Sequence, residues 1–357
     1  METFPRLLPL QRRKGPGMPR ITIKDIAAEA GVALGTASRA LSGNGSIAGE
    51  TRERVLAAAR RLNYVPNAQA RSLRSERTDT LGLLIPDVRN PFFSELAHGV
   101  EQEARQAGFS VVLCSADEDP QRMSEYALVL RRQRVDGIIV APISEAHDTL
   151  ASLQDADVPL VFVDRTIPGM GVPAAVSDTR SAIGAAVQHL VTEGARTIGY
   201  ISGPSQTSTG VERLEEFTDA AAAAGIGTRI VHGDFQEDSG RLGMRELLAS
   251  GADAVIASDS LMTLGALREC LDSGIVPVRD IPFIGFDDIP PFALLRPPLP
   301  LICQDVHRMA ALAVELLTAR LAGRDVSDEH RLPAQLRIPS TTEPEPVPQR
   351  AEVINDA

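Results

Sequence analysis

ITIKDIAAEAGVALGTASRALSGNG, residues 21–45, reads as two short helices joined at a glycine. Thr22 followed by Asp25 is a helix-starting signature, because a carboxylate three residues on can take the unpaired N–H groups of the first turn. Ile23, Ile26, Ala27 and Ala30 then recur at helical spacing until Gly31 stops the run. A second helix is expected from about Leu34 to Leu41, turning Ala37, Ala40 and Leu41 toward the first. Past the Ser-Gly-Asn-Gly break, a third is expected over residues 50–62, burying Val55, Leu56, Ala59 and Leu62. Three short helices with a tight turn between the first two form a helix-turn-helix unit, which places one helix in the major groove of DNA.

Charge is distributed in the same sense. Residues 19–77 carry ten Lys/Arg against five Asp/Glu, a net of +5, and residues 1–18 carry four against one, a net of +3. The whole chain has a net charge of −11, which leaves −19 for residues 78–357. A basic head on an acidic body implies that the head alone meets a polyanion. With 357 residues, 43% of them hydrophobic, there is material for two or three packed units. No apolar run reaches the roughly 18–20 residues that a bilayer crossing needs, and the N-terminal basic residues follow the short Leu/Pro run instead of preceding it, so a cytoplasmic protein is expected. Cys114, Cys270 and Cys303 are scattered without a Cys-x-x-Cys pair, which fits small core residues better than a disulfide framework or a zinc site.

From Thr80 onward the pattern alternates β-run and helix: LGLLIPDV, helix 92–107, FSVVLCSA, helix 123–133, DGIIVAP, PLVFVDR and helix 181–192. It continues with TIGYISG, helix 210–224, RIVHGD, AVIASD, helix 261–272 and IPFIGFDD. Such alternation predicts an α/β protein in which parallel sheets carry helices on both faces. Two successive sets of about five strands imply two doubly wound parallel-sheet lobes with a cleft between them. Ligands of such sheets bind beyond the carboxyl ends of the strands. The polar residues there are Asp87 and Asn90, Asp164 and Arg165, Ser258 and Asp259, and Asp287 and Asp288. Carboxylates, guanidinium groups and aromatic faces in one place suit a polyhydroxylated ligand, whose buried hydroxyls must each be paired.

TIKDIAAEAGV, TASRAL, ETRERVLAAARRLNYVPNAQARSL, GLLIPDVRNPFF, DGIIVAP, VDR, IGYISGP, GFDD and PPLPLICQD occur in that order. As a set they resemble the lac/gal repressor family of bacterial transcription regulators, over about Ile21 to Ser340. The resemblance implies a helix-turn-helix head, a hinge helix and a periplasmic-binding-protein-like effector domain. In the head it implies that Leu34, Gly35 and Arg39 read bases, while Thr22, Thr36, Ser38 and Asn67 hold the DNA backbone. Arg39 suits guanine because a guanidinium pairs with it bidentately. In the hinge it implies that Asn67, Ala70 and Leu73 enter the minor groove, with Leu73 wedged between base steps. In the cleft it implies ligand contacts from Asn90, Phe92, Phe93, Asp164, Arg165, Arg213, Phe235, Ser258 and Asp287. Several positions depart from the family's usual pattern: Ala33 and Ala48 stand where Ser is usual, Gly35 replaces a polar or aromatic residue, and Glu216 replaces a glycine near Arg213. Ser258 stands where asparagine is common, which implies an altered ligand preference.

The expected organisation is a disordered extension (1–18), a helix-turn-helix domain (19–64), a hinge helix and linker (65–79), a two-lobed effector-binding and dimerisation domain (80–340) and a disordered tail (341–357). Met18 directly precedes PRITIKDIA, so residues 1–17 are either an extension from an upstream start codon or an extra basic arm. The expected function is a transcriptional regulator, in the first place a repressor, that binds a palindromic operator as a homodimer under control of a small sugar, polyol, nucleoside or purine. Control by a protein partner is the alternative within the family, and a solute-binding protein without a regulatory role the alternative outside it. No Gly-x-Gly-x-x-Gly follows the first strand of either lobe, no Walker loop occurs and the six histidines form no metal spacing, so neither an enzyme nor a cofactor or metal is expected.

Overall fold

The computed structural model describes residues 21–42, 47–64, 77–326 and 329–339. The chain divides into two compact units, Met1–Thr78 and Asp79–Ala357, here called the head and the body. In the head, α1 (Ile23–Glu29), α2 (Leu34–Ser42) and α3 (Gly49–Arg61) enclose Ile26, Ala27, Ala30, Ala37, Ala40, Val55 and Ala58. The Asp25 carboxylate accepts both the N–H and the Oγ–H of Thr22 at 2.7 Å, as the opening signature requires. Gly31 turns the chain at φ +63°, a conformation that costs a residue without Cβ little. Arg54 of α3 donates to the Ala30 carbonyl at 2.7 Å and ties the turn to the third helix. The N-cap of α3, Ala48, has no side-chain acceptor, and Ala33 before α2 offers only its backbone carbonyl, to Thr36 and Ala37.

In the body, most apolar runs become strands buried on both faces, as parallel sheets covered by helices demand, whereas FSVVLCSA and RIVHGD become largely exposed edge strands. The first sheet has the order β11-β5-β4-β3-β1-β2, with every pair parallel. Its strands are β1 (Thr80–Ile85), β2 (Ser110–Ser115), β3 (Gly137–Val140), β4 (Leu160–Val163), β5 (Ala174–Asp178) and β11 (Glu329–Pro333). One face is covered by α4 (Pro91–Gln106) and α11 (Val306–Leu321), the other by α5 (Pro120–Gln133) and α6 (His147–Asp155). The second sheet has the order β12-β10-β9-β8-β6-β7. It contains β6 (Thr197–Ser202), β7 (Gly227–His232), β8 (Ala254–Ala257), β9 (Phe283–Phe286), β10 (Leu301–Cys303) and the antiparallel β12 (Gln335–Arg337). Its helices are α7 (Arg180–Thr192), α8 (Ser208–Ala224), α9 (Glu237–Ala249) and α10 (Ser260–Asp272).

The two lobes are not consecutive parts of the chain, as the alternation of runs implied. The chain crosses from the first lobe to the second after β5, returns between β10 and α11, and crosses again between β11 and β12. The physical reason is that α11, with Met309, Ala313 and Leu317 fully buried, completes the apolar face left open beside α4. Strand β11 then pairs with β5 and closes the edge of the first sheet. Helices α6, α9 and α11 and strands β5 and β10–β12 were not among the elements expected from the sequence.

Candidate functional site

The head presents α2 outward. Leu34, Gly35 and Arg39 are exposed, while Thr36 and Ser38 are half-buried against the core. Arg39 Nε donates to the Gly35 carbonyl at 3.2 Å, one turn back on the same helix. Thr22 is exposed at the start of α1. Of the residues implied for DNA contact, Asn67, Ala70 and Leu73 lie outside the described residues.

The body builds its site from strand ends. Asp164 and Arg165 follow β4, Asp287 follows β9, Ser258 and Asp259 follow β8, and Gln304 follows β10. Because the strands are parallel, their carboxyl ends gather at one edge of each sheet. Asp164, Phe235 and Asp287 adopt φ of +62°, +63° and +58°. Holding residues with side chains in the left-handed region costs of order 1–3 kcal/mol each, and such strain concentrates at ligand sites. Asn90 enters from the N-terminus of α4, where its Oδ1 accepts the Phe92 N–H at 3.0 Å.

Asn90, Phe92, Phe93, Asp164, Arg165, Arg213, Phe235 and Asp287 line one cleft between the lobes, together with Thr209, Asp259 and Gln304. Across the gap, Asn90 Nδ2 donates to Asp259 Oδ2 at 3.2 Å, and Ser260 Oγ donates to Asn90 Oδ1 at 3.0 Å. Arg213 donates to the Ser258 carbonyl at 2.8 Å and to Gln304 Oε1 at 3.2 Å, and it lies over the Phe286 ring at 4.2 Å. Gln304 Nε2 in turn donates to Asp287 Oδ1 at 2.8 Å. Arg165 lies between the Phe93 and Phe235 rings, at 5.6 and 5.1 Å from their centroids. Both its terminal nitrogens bond to Glu118, at 2.8 and 2.7 Å.

The sequence reading had several near misses. Ser258 does not bring its side chain into the cleft: its Oγ donates to the Ile201 carbonyl, and only its own carbonyl serves Arg213. The neighbouring Asp259 takes the cleft position, while its other oxygen caps α10 by accepting from Leu261 and Met262. Glu216, which put the placement of Arg213 in question, is buried and accepts from Thr179 Oγ1, and Arg213 still reaches the cleft. Asp87 and Asp288 turn to Arg89 and Arg337 instead of the cleft. Glu118, Thr209 and Gln304 were missed. Gln304 had a signal, because it directly follows the LIC run, whereas Glu118 lies in a loop with none.

Burial raises the carboxyl pKa values of Asp164 and Asp259 despite nearby arginines. Asp287 is pushed up to about 7, chiefly by burial, with Arg213 and Gln304 pulling the other way. Each of these acids would gain from a neutral donor, and such a site is suited to binding hydroxyl groups. A wider cavity of about 640 Å³ adjoins the cleft and shares Phe92, Asp287 and Gln304 with it. Among the described residues no group of His, Cys, Asp and Glu could hold a metal ion, and no helix is long and apolar enough to cross a membrane.

Residues 22–67 match the family described as "Bacterial regulatory proteins, lacI family", and residues 78–335 match "Periplasmic binding proteins and sugar binding domain of LacI family". A ribose operon repressor of Bacillus subtilis is 36% identical over 299 residues, covering 83% of this chain and 90% of the relative. A transcriptional repressor PurR of Photobacterium profundum is 33% identical, covering 87% and 94%. Among solved structures, the lac repressor bound to ONPG in the repressed state superposes with a TM-score of 0.80 at 26% identity, covering 90% of this chain and 99% of that one.

Proposed function

Because this chain belongs to the LacI family of bacterial regulatory proteins and is a transcriptional repressor with a ligand-binding domain, we propose that it binds a palindromic operator as a homodimer and takes a small sugar, polyol or nucleoside in the cleft between its lobes. One observation carries the ligand reading: buried carboxylates, two guanidinium groups and three phenyl rings from both lobes converge on one cleft. The ribose named in a close relative makes a pentose the first ligand to try. A ligand that bridges the lobes favours one of their relative placements, and an operator that favours another is coupled to it by about 1–3 kcal/mol, typical of such linkage. The segment 65–79, with Asn67, Ala70 and Leu73 in the minor groove, is where the two binding events meet. Arg39 reads a guanine and Leu34 and Gly35 set its approach, while Thr22, Thr36 and Ser38 hold phosphates. DNA binding places this work in the cytoplasm.

Selection from random duplex DNA with the full-length protein, at near-physiological salt and with pentoses, hexoses or purines added in parallel, tests the proposal. A palindrome enriched in one ligand condition and lost in another is the expected result. Enrichment of a single half-site, or a palindrome indifferent to every ligand, would overturn the dimer or the ligand coupling respectively.

A further inference from the structure

We propose that Glu118 sets the charge specificity of the cleft: by holding both terminal nitrogens of Arg165 it restricts the site to neutral polyhydroxyl ligands and shuts out their phosphate esters. This rests on reading the inter-lobe cleft as the ligand site. A guanidinium recognises phosphate through parallel N–H groups, the geometry that makes arginine the usual partner of such anions. In Arg165 the end-on pair is taken, Nη1 by Glu118 Oε2 at 2.8 Å and Nη2 by Oε1 at 2.7 Å, and the carboxylate offsets the positive charge that would attract a phosphate. The side chain is 3% exposed and flanked by two phenyl rings, so it cannot swing to another partner without leaving its slot.

Arg165 keeps one further N–H on each terminal nitrogen and its Nε–H, the last of which is buried without a hydrogen-bond partner. Nε faces Asp164 Oδ2 at 3.7 Å, too far for a hydrogen bond. Arg213 stands 3.9 Å from the other Asp164 oxygen and is itself committed to the Ser258 carbonyl and Gln304. A hydroxyl near Asp164 and Arg165 can donate to the carboxylate and accept from Nε–H. A phosphate oxygen only accepts, so it leaves Asp164 unserved. It also adds negative charge beside Asp164 and beside the Glu118 carboxylate that already faces Arg165.

The loop that carries Glu118 is fixed on both sides. Asp117 and Glu118 are consecutive left-handed residues, at φ +60° and +53°. Glu118 N–H donates to the Pro86 carbonyl at 3.1 Å, Asp117 pairs with Arg89 and with Arg122, and Asp119 caps α5. Two successive strained residues are unusual in a turn that serves only to connect β2 to α5.

The test is calorimetric titration of the full-length protein with D-ribose and D-fructose, and with ribose 5-phosphate and fructose 1-phosphate. The wild type is expected to bind at least one neutral sugar about tenfold or more tighter than its ester, the discrimination that one unpaired buried group produces. Glu118→Gln, which keeps the shape and removes the charge, is expected to shrink that ratio about tenfold, and Glu118→Ala to shrink it further. Circular dichroism identifies any variant that fails to fold, and either variant suffices. A wild type that prefers the ester, or variants that change both affinities by one common factor, would overturn the proposal and leave the cleft as the ligand site. Silence from all four compounds in every protein would remove both.

Discussion

The head and the body are packed in different ways. Among the described residues, five of the seven buried in the head's core are alanines, with Ile26 and Val55 the larger two, and half-buried side chains such as Ile23, Leu41 and Leu62 pack around them. In the body, Leu, Ile and Phe side chains fill both faces of each sheet, and glycines let backbone meet backbone. A Cβ at Gly265 would lie 1.8 Å from the Glu237 carbonyl oxygen, and one at Gly240 2.2 Å from that of Met262, so α9 and α10 touch along their main chains. The head thus carries an exposed helix, α2, on a core built mostly of small residues. The body is a stiff frame that can hold four acids and two arginines in place.

The largest effect expected from this contrast is in the body. Gly265→Ala drives a methyl group into backbone that cannot yield, and should cost more than about 3 kcal/mol. Thermal denaturation of the variant checks this, and a loss below about 1 kcal/mol would show that α9 and α10 can part. In the head, Ile26→Ala should cost about 2–4 kcal/mol, enough to unfold a domain with so small a core. DNA binding should disappear while sugar binding measured by calorimetry persists, and joint loss would break the contrast.

A third prediction concerns pH. Burial raises the Asp287 carboxyl from the ordinary carboxylate range to about 7 in the folded protein. A raised carboxyl stabilises the fold at low pH and loses that contribution as pH climbs through the folded pKa. The stability of the body should therefore fall between about pH 4 and 7 and level off above, as far as Asp287 contributes. Asp287→Asn keeps an acceptor for Gln304 and suits the left-handed backbone. It should flatten that decline and melt several degrees higher than wild type at pH 8. An unchanged pH profile would assign the slope to Asp164 and Asp259 instead.

The smallest effects return to the head. A Cβ at Gly35 meets nothing within 4 Å, so Gly35→Ala should stabilise α2 by about 0.5–1 kcal/mol. Ala33→Ser supplies the missing N-cap and should add a similar amount. Thermal melts of both variants decide this. If Gly35 lies against a base edge, its variant alone should lose operator affinity while gaining stability.

Much of this was legible because it is local. The Thr22/Asp25 signature placed the start of the head's first helix, and the spacing of Ile26, Ala27 and Ala30 carried it one residue past its end at Glu29. Runs such as LVFV and FIGF could only be strands buried on both faces, so their polar ends marked the cleft. Less legible was anything decided by distant partners. Strand β5, AAVSD, carries almost no β-branched signal and is a strand because β4 and β11 flank it. Glu118 is separated from Arg165 by 47 residues, and no spacing rule links them. Ser258 and Asp259 differ by one position, and only the turn after β8 decides which side chain faces the cleft.

The triple crossing between the lobes also bears on how the protein is made. The first lobe opens with Thr80 and is not closed until Pro333, whereas five of the second lobe's six strands lie between Thr197 and Cys303. A chain leaving the ribosome N-terminus first can therefore assemble most of the second lobe while the first still lacks α11 and β11. Until those last segments emerge, the β5 edge stays unpaired and the apolar face beside α4 stays uncovered. The first lobe is therefore the last to be completed, although its strands are the earliest to be synthesised.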